Sequence, residues 1–181
     1  MRIAIQGLAK RYGLTTVLDI PAFTIEAGER LGLVGNNGAG KTTLLNVITG
    51  LVGRDTGRVE LGEVDLTDMP SHQIARRGLV RTFQNLRLFS ALTVRENVEV
   101  SSLVASSTRR HRLPPDIDGL LLAAGLWEVR DRRARELDYG TSRRLELARA
   151  VAMAPSFLLL DEPTSGMSDA ESLAMVDQVR R

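Results

Sequence analysis

Residues 35 to 42 read Gly35-Asn-Asn-Gly-Ala-Gly-Lys-Thr42, a full match to the phosphate-binding loop pattern G-x-x-x-x-G-K-[ST]. Glycines let successive backbone N–H groups turn toward one point, which side chains would resist. Lys41 supplies a compact positive charge for the β- and γ-phosphates, and the Thr42 hydroxyl suits Mg²⁺. The pattern predicts that a nucleoside triphosphate is surrounded by Gly35, Asn36, Asn37, Gly38, Ala39, Gly40, Lys41, Thr42 and Thr43.

The residues on either side of this loop strengthen the prediction. Residues 30–34 form a short apolar run typical of a strand, and residues 43–49 have helical character up to Gly50. A strand, a glycine loop and a helix in that order place the phosphates at the helix N-terminus, where the dipole and free N–H groups favour anions. A glycine-rich turn that matches by chance would not need this context.

Composition restricts the class of protein. The 181 residues suit one domain, or a core with a smaller lobe inserted, and 43% are apolar, enough for a sizeable core. No window approaches the roughly 20 apolar residues that span a bilayer, and the N-terminus lacks a signal-peptide layout. The absence of cysteine excludes disulfides and Cys-based metal sites, and a net charge of +2 does not favour a nucleic-acid partner. We expect a soluble, cytoplasmic chain.

Local patterns predict an α/β chain. Strands are expected at residues 2–6, 19–25, 58–61, 79–83 and 157–160, the last as a buried parallel strand. Helices are expected at 70–77, from Thr93 to about 105, from Asp116 to about 125, and at 141–154, with an exposed connection at 106–115. We therefore predict a single domain over residues 1–181, with a core at about 1–89 and 155–181 and a helical subdomain at about 90–154.

Two acidic residues, Asp161 and Glu162, follow the last predicted strand, at the edge where parallel sheets bind ligands. The first carboxylate suits Mg²⁺, directly or through water, and the second suits polarisation of an attacking water. Two acids at a strand end are by themselves usually a solvated turn. Together with the phosphate loop they predict a metal and catalytic site.

With these motifs in this order, the chain resembles the nucleotide-binding subunits of ABC transporters. Residues 35–42 resemble their Walker A loop, and residues 158–162 their Walker B strand with its catalytic glutamate. Gln84 matches the Q-loop glutamine, and Tyr12 matches the aromatic that stacks on adenine, although alone it would be an ordinary surface or core tyrosine. The resemblance implies a P-loop NTPase with a RecA-like core, N-terminal antiparallel strands and an inserted α-helical subdomain.

The resemblance also implies the roles of the site residues. ATP and Mg²⁺ are the expected ligands. The catalytic residues are expected to be Glu162, Gln84 and Lys41, and the metal-binding residues Thr42, Gln84 and Asp161.

Two longer runs, residues 76–89 and 139–150, are similar to the ATPase subunits of branched-chain amino-acid importers, although polar-amino-acid and urea importers share parts of them. In this family the residues after the glutamine meet the permease. Here those are residues 85–90, with Leu86, Leu88 and Phe89 as apolar contacts. The alternative is that these three side chains pack the core of the helical subdomain.

Two features depart from the family. The signature Leu-Ser-Gly-Gly-Gln appears as Leu137-Asp-Tyr-Gly-Thr141, so Asp138, Tyr139 and Gly140 would face ATP held by the other subunit. Like charges about 4 Å apart repel by roughly 1 kcal/mol in water and by more in a drier site. We expect slow hydrolysis unless Asp138 turns away or is protonated. The chain also ends before the family's next central strand and switch histidine, so a fragment lacking its C-terminal strands, poorly stable alone, is expected.

The leading hypothesis is an ATP-driven import motor on the cytoplasmic face of the inner membrane, held there peripherally. Its partners would be a second ABC ATPase subunit, identical or not, the membrane permease subunits and, indirectly, a solute-binding protein. A second hypothesis is a nucleotide-binding regulatory subunit with weak hydrolysis. A third hypothesis is a soluble ABC ATPase that acts on DNA or ribosomes. Against it, the helical subdomain lacks a long coiled-coil insertion and the chain carries only one ATPase domain. A cluster of arginines sits among acids, which indicates a solvated helix face and no nucleic-acid partner; the arginines are at 130, 132, 133 and 135, and the acids are Glu128, Asp131 and Glu136.

Overall fold

The computed structural model describes residues 1–83, 86–108 and 116–162, with the backbone alone for 104–108. The chain divides into two compact units, Met1–Leu79 and Val80–Arg181, named here unit one and unit two.

Unit one is built on a four-stranded antiparallel sheet. Its strands are β1 (Arg2–Tyr12), β2 (Thr15–Glu26), β3 (Thr56–Leu61) and β4 (Val64–Asp65), in the order β2-β1-β3-β4. The strands predicted at 2–6, 19–25 and 58–61 are confirmed, and the first two are longer than predicted because each pairs with the other along a hairpin. The inward side chains Ile3, Ile5 and Leu8 are at most 1% exposed and form the core of this sheet.

Two short helices complete unit one, α1 (Lys41–Ile48) and α2 (Ser71–Arg76). Both match the sequence prediction, and Gly50 and Gly78 follow them with positive φ angles of 68° and 100°. A Cβ on Gly50 would lie 2.7 Å from the Met69 carbonyl oxygen. Glycine at that position therefore lets the end of α1 lie directly against the segment that leads into α2.

Unit two is mainly helical. Its described residues include the helices α3 (Val94–Thr108), α4 (Ile117–Ala123) and α5 (Tyr139–Ala152). Two strands, β5 (Leu79–Arg81), which begins at the last residue of unit one, and β6 (Phe157–Leu159), form a small second sheet. The three helices share a core that includes Val98, Leu121 and Leu145, each fully buried. Within the described ranges, no helix is long and apolar enough to cross a bilayer.

Side-chain caps fix where two of these helices begin, as the sequence predicts. The Thr93 hydroxyl accepts a hydrogen bond from the Glu96 N–H at 3.1 Å, and the Glu96 carboxylate accepts one from the Thr93 N–H at 2.7 Å. This reciprocal pair is a capping box and starts α3. The Asp116 carboxylate accepts from the Gly119 N–H at 3.0 Å and starts α4 in the same way.

The strand predicted at residues 30–34 is wrong. These residues form no strand, and Leu31, Leu33 and Val34 are 56%, 51% and 92% exposed. A strand requires a ladder of backbone hydrogen bonds to a neighbour, and no strand in the described part of the chain pairs with this segment. The strand predicted at 157–160 is confirmed over Phe157–Leu159, but its residues are half-buried instead of buried.

Candidate functional site

The phosphate loop of unit one has the left-handed backbone that its glycines permit. Gly38 and Gly40 have φ angles of 83° and 86°. The Ala39 N–H donates to the Asn36 carbonyl at 3.1 Å, which closes a turn, and the Leu44 N–H donates to the Gly40 carbonyl at 2.8 Å, which starts α1. The loop thus leads straight into a helix N-terminus with its remaining N–H groups unpaired within the helix.

Lys41 spans this loop. Its ammonium donates to the Gly35 carbonyl at 2.7 Å and to the Asn36 carbonyl at 3.0 Å. The charge is therefore held over the loop by carbonyl groups that a phosphate oxygen can replace, because an ammonium carries three donors that reorient freely. Thr42 and Thr43 lie in the first turn of α1, half-buried.

Gly40 fixes the loop against the sheet. A Cβ on Gly40 would lie 2.8 Å from the Val17 carbonyl oxygen and 3.1 Å from Leu18 Cδ2. No side chain fits there without displacing the backbone of β2. The loop and the edge strand consequently approach each other more closely than any other residue type would allow.

Tyr12 lies near the loop in the same unit. It is the last residue of β1 and pairs with Thr15, two residues along β2 from Val17. Its ring is 51% exposed, and the Lys10 ammonium lies 5.4 Å from the ring centroid. An exposed aromatic face beside the phosphate loop is suited to stack on a planar base.

The two acids lie in unit two, and Asp161 is the second residue after the end of β6. Asp161 is 4% exposed, and its Oδ2 accepts a hydrogen bond from Arg81 Nη2 at 2.6 Å in a buried ion pair. Glu162 is exposed and has a positive φ of 47°, an uncommon angle for a residue with a side chain. The sequence predicted the two acids but not Arg81, because nothing in the local pattern indicates a partner so far along the chain.

The Asp161 carboxylate is a type of ligand that Mg²⁺ uses in proteins. The described residues hold no cluster of three or more His, Cys, Asp or Glu side chains that could bind a metal alone. Mg²⁺ commonly uses one or two protein oxygens and completes its octahedral shell with water and substrate phosphates. The Asp161 carboxylate of unit two and the Thr42 hydroxyl of unit one are each an oxygen donor of the type that Mg²⁺ prefers.

The signature segment forms the start of α5. Asp138 is the N-cap of this helix, and its carboxylate accepts hydrogen bonds from the Thr141 N–H at 2.8 Å and the Thr141 hydroxyl at 2.9 Å. These bonds, the backbone one first, hold the pKa of the Asp138 carboxyl below its ordinary value of 3.8. Both residues that depart from the family signature thus bond to each other, and the carboxylate is turned to its own helix.

Gln84 and Asn85 lie outside the described residues. The residue before them, Phe83, is held by a buried ion pair on α5. Arg143 donates to the Phe83 carbonyl at 2.8 Å, and Glu146 accepts from the Phe83 N–H at 3.2 Å while bonding Arg143 at 2.8 Å. Arg143 also donates to the Tyr139 hydroxyl at 3.0 Å. Sequence analysis missed this pair, although opposite charges three residues apart on a helix were its signal.

The three side chains predicted to contact a permease have different surroundings. Leu88 packs against the core of unit two, Leu86 is half-buried, and Phe89 is 46% exposed with the Arg149 guanidinium 4.8 Å from its ring centroid. Asn97, fully buried, accepts from the Phe89 N–H and donates to the Phe89 carbonyl, both at 3.0 Å. The alternative of core packing therefore holds for Leu88, whereas Phe89 presents an accessible ring.

The structure thus groups the predicted residues by unit. Unit one holds Tyr12 and the phosphate loop. Unit two holds Asp161, Glu162 and the residues Asp138, Tyr139 and Gly140, of which Gly140 is buried and Tyr139 is 43% exposed.

Comparison with known proteins gives three concordant findings. A family model described as ABC transporter matches residues 18–165. A probable ABC transporter ATP-binding protein of Azorhizobium caulinodans is 40% identical over 165 residues, which are 91% of this chain and 58% of that protein. The high-affinity branched-chain amino acid transport ATP-binding protein LivG of Salmonella typhimurium is 37% identical over 94% of this chain and 72% of its own length.

A solved structure agrees with these three findings. The ADP conformation of an ATP-binding cassette of an ABC transporter superposes with a TM-score of 0.81 at 28% identity, covering 99% of this chain and 76% of that one. The chain therefore spans between about three fifths and three quarters of the length of the proteins that it resembles.

Proposed function

Because this chain belongs to the ABC transporter family, we propose that it is the ATP-binding and ATP-hydrolysing subunit of an importer for branched-chain or related amino acids. The observation that supports nucleotide binding is the phosphate loop, in which Lys41 spans the carbonyls of Gly35 and Asn36 at the start of α1. The solute class rests on the similarity to LivG, whose name describes branched-chain amino acid transport.

In the proposed site, residues 35–43 bind the phosphates and Tyr12 stacks on adenine. Glu162 accepts a proton from the attacking water and orients it, and Gln84 lies beside the metal. When bound, Mg²⁺ neutralises charge on the phosphate oxygens. The residues that would hold it are Thr42, Gln84 and Asp161.

The proposed assembly is a dimer of ATPase subunits, identical or not, in which Asp138, Tyr139 and Gly140 face the ATP of the other subunit. The dimer works with membrane permease subunits, for which Phe89 offers an exposed aromatic contact. A solute-binding protein delivers the amino acid on the other side. The chain itself acts at the cytoplasmic face of the inner membrane as a peripheral subunit.

An experiment on dimer formation tests this proposal. Glu162→Gln removes the general base but keeps the volume of the side chain, so ATP should bind and remain unhydrolysed. We expect ATP to convert this variant to a dimer in sedimentation velocity. The double variant with Lys41→Ala should stay monomeric with ATP. A Glu162→Gln chain that binds no ATP at millimolar concentration contradicts the proposed function.

A second candidate, a nucleotide-binding subunit with weak hydrolysis, is favoured by the Asp138 cap. The carboxylate already neutralises the N-terminus of α5, so that helix has less attraction left for phosphate. Asp138→Ser in the assembled transporter should raise ATP turnover if the cap limits hydrolysis. Unchanged turnover in Asp138→Ser would remove the reason for preferring the weak-hydrolysis candidate.

A further inference from the structure

We propose that Arg81 competes with the metal ion for the carboxylate of Asp161, and so sets how tightly the nucleotide site binds Mg²⁺. This inference rests on the proposed function, since it concerns the metal of that same site. Its basis is the ion pair between Arg81 Nη2 and Asp161 Oδ2, 2.6 Å long, with both side chains about 95% buried.

The backbone fixes this pair in place. Arg81 is the last residue of β5. Asp161 is the second residue after the end of β6, the strand that neighbours β5 in the small sheet. The Thr82 N–H donates to the Leu159 carbonyl at 3.0 Å, and the Asp161 N–H donates to the Thr82 hydroxyl at 3.4 Å. The pairing of the two strands therefore brings the two charged side chains together.

A buried carboxylate needs a cation. Burial penalises an uncompensated charge strongly, and without metal the Arg81 guanidinium is the counter-charge that lies against the buried Asp161 carboxylate. Arg81 is suited to this task because a guanidinium stays protonated under all ordinary conditions. In the absence of metal, Arg81 consequently stabilises the fold by pairing with the Asp161 carboxylate, which is also the proposed metal ligand.

The same charge then opposes the metal. A carboxylate offers two oxygens, and Arg81 occupies one of them, so an ion on the other oxygen would lie within a few ångströms of a like charge. In a buried site that repulsion is weakly screened. Metal binding therefore requires Arg81 to leave Asp161, and this requirement lowers the affinity for the ion.

An aromatic ring lies beside the ion pair. The Arg81 Cζ is 5.5 Å from the centroid of the Phe83 ring while Arg81 Nη2 bonds Asp161, and the Arg87 Cζ is 4.4 Å from the same centroid. Contact with an aromatic ring stabilises a guanidinium. The ring therefore adds to what holds Arg81 in the observed pair, and a metal ion that displaces Arg81 must overcome this contact too.

The test measures the affinity for Mn²⁺, a paramagnetic substitute for Mg²⁺, in the full chain with saturating ADP. Arg81→Gln removes the charge and keeps a hydrogen-bond donor. We expect its Mn²⁺ dissociation constant, from the electron paramagnetic resonance signal of free Mn²⁺, to fall roughly tenfold. Its unfolding temperature in EDTA should fall as well, because Asp161 loses its counter-charge. Arg81→Lys keeps the charge and should bind Mn²⁺ as the parent does.

Arg95→Gln is the control, because it breaks the ion pair between Arg95 on α3 and Asp118 on α4, 2.7 Å long, which involves neither Asp161 nor Phe83. It should lower the unfolding temperature and leave the Mn²⁺ dissociation constant unchanged. A purely structural role for Arg81 predicts this same result for Arg81→Gln, so an unchanged or weaker Mn²⁺ affinity in Arg81→Gln overturns the inference.

A second measurement uses the parent chain and needs no variant to fold. Arginine side-chain resonances of the ¹⁵N-labelled chain with ADP report whether Arg81 leaves its buried partner. We expect Mg²⁺ to shift the Arg81 signal and speed its hydrogen exchange, and an unaltered signal at saturating Mg²⁺ overturns the inference. Binding of ADP in EDTA separates the two proposals. A parent chain that binds no ADP overturns both, whereas normal ADP binding with unaltered Mn²⁺ affinity in Arg81→Gln overturns only the role of Arg81.

Discussion

At the scale of single residues, the two departures from the family signature, Asp138 and Thr141, are hydrogen-bonded to each other at the start of α5. A carboxylate at the N-cap accepts the N–H of the third helical residue, and the threonine there adds its hydroxyl to the same carboxylate. Each residue satisfies a polar group of the other and of the helix. The carboxylate is directed at its own helix, and the hydrogen bonds that lower its pKa favour the charged form, so the N-terminus of α5 keeps the negative charge that the sequence predicts there.

The cap predicts a pH-dependent stability. Asp138→Ala should lower the free energy of unfolding by about 1 kcal/mol at neutral pH, because an N-terminal N–H and a hydroxyl lose their acceptor. The folded-state pKa of Asp138 lies below 3.8, so this contribution is fully present above pH 3.8 and is lost as the pH falls through the folded value. Urea unfolding from pH 7 to pH 2.5 measures the difference.

Asp138→Asn is the control for this series, since asparagine caps a helix about as well as aspartate and does not titrate. Its stability relative to Asp138→Ala should not vary with pH. An Asp138→Ala difference that persists unchanged at pH 2.5 would contradict the cap as the source of the effect.

At the scale of elements, α5 contributes both to the apolar core of unit two and to its buried ion pair. It packs in the core with α3 and α4, and its buried pair Arg143–Glu146 holds both backbone groups of Phe83. Two charges inside a helical unit are costly unless each is hydrogen-bonded, and here each is. The signature segment and the residue before Gln84 are therefore joined through one helix.

Breaking this pair should be strongly destabilising. Glu146→Gln leaves Arg143 without its counter-charge while burying it, which we expect to cost about 3 kcal/mol or more in the free energy of unfolding. Glu99→Gln is a suitable comparison, because Glu99 belongs to an exposed pair with Arg95 at 3.7 Å and should cost less than about 0.5 kcal/mol. Equal effects of the two substitutions, measured by chemical denaturation, would refute the structural importance of the buried pair.

At the scale of the whole molecule, the proposed function requires that nucleotide binding stabilise the folded chain. A ligand present at 100 times its dissociation constant adds about 2.7 kcal/mol to the free energy of unfolding. We expect ADP with Mg²⁺ to raise the unfolding temperature of the parent chain, and Lys41→Ala to lose most of that increase. Differential scanning fluorimetry over a range of ADP concentrations measures it.

Arg58→Ala controls for the loss of a positive charge in unit one. Arg58 is 59% exposed at its side chain and pairs with Glu60 at 3.6 Å on the surface of the sheet. The ADP-dependent increase should be the same in Arg58→Ala as in the parent. A Lys41→Ala chain that keeps the full increase would contradict the assignment of the phosphate loop.

Much of the fold and part of the site could be predicted because their causes are local. The capping box at Thr93 and Glu96 spans three residues, and so does the cap of Asp116 on Gly119. The phosphate loop needs only its own glycines, its lysine and the helix that follows. The strand at residues 30–34 could not be decided in this way, because an apolar run becomes a strand only when a neighbour supplies the ladder.

The sequence by itself determined the phosphate loop, the capped starts of α3 and α4, and the family, since each depends on residues close together in the chain. Only the tertiary structure decided which charges are paired. Arg81 and Asp161 are 80 positions apart, and Phe83 is 60 positions from Arg143. Such contacts form when strands and helices pack, and the burial that accompanies packing makes each buried charge require a partner. The sequence around Arg81 or Phe83 therefore does not indicate which distant residue is its partner.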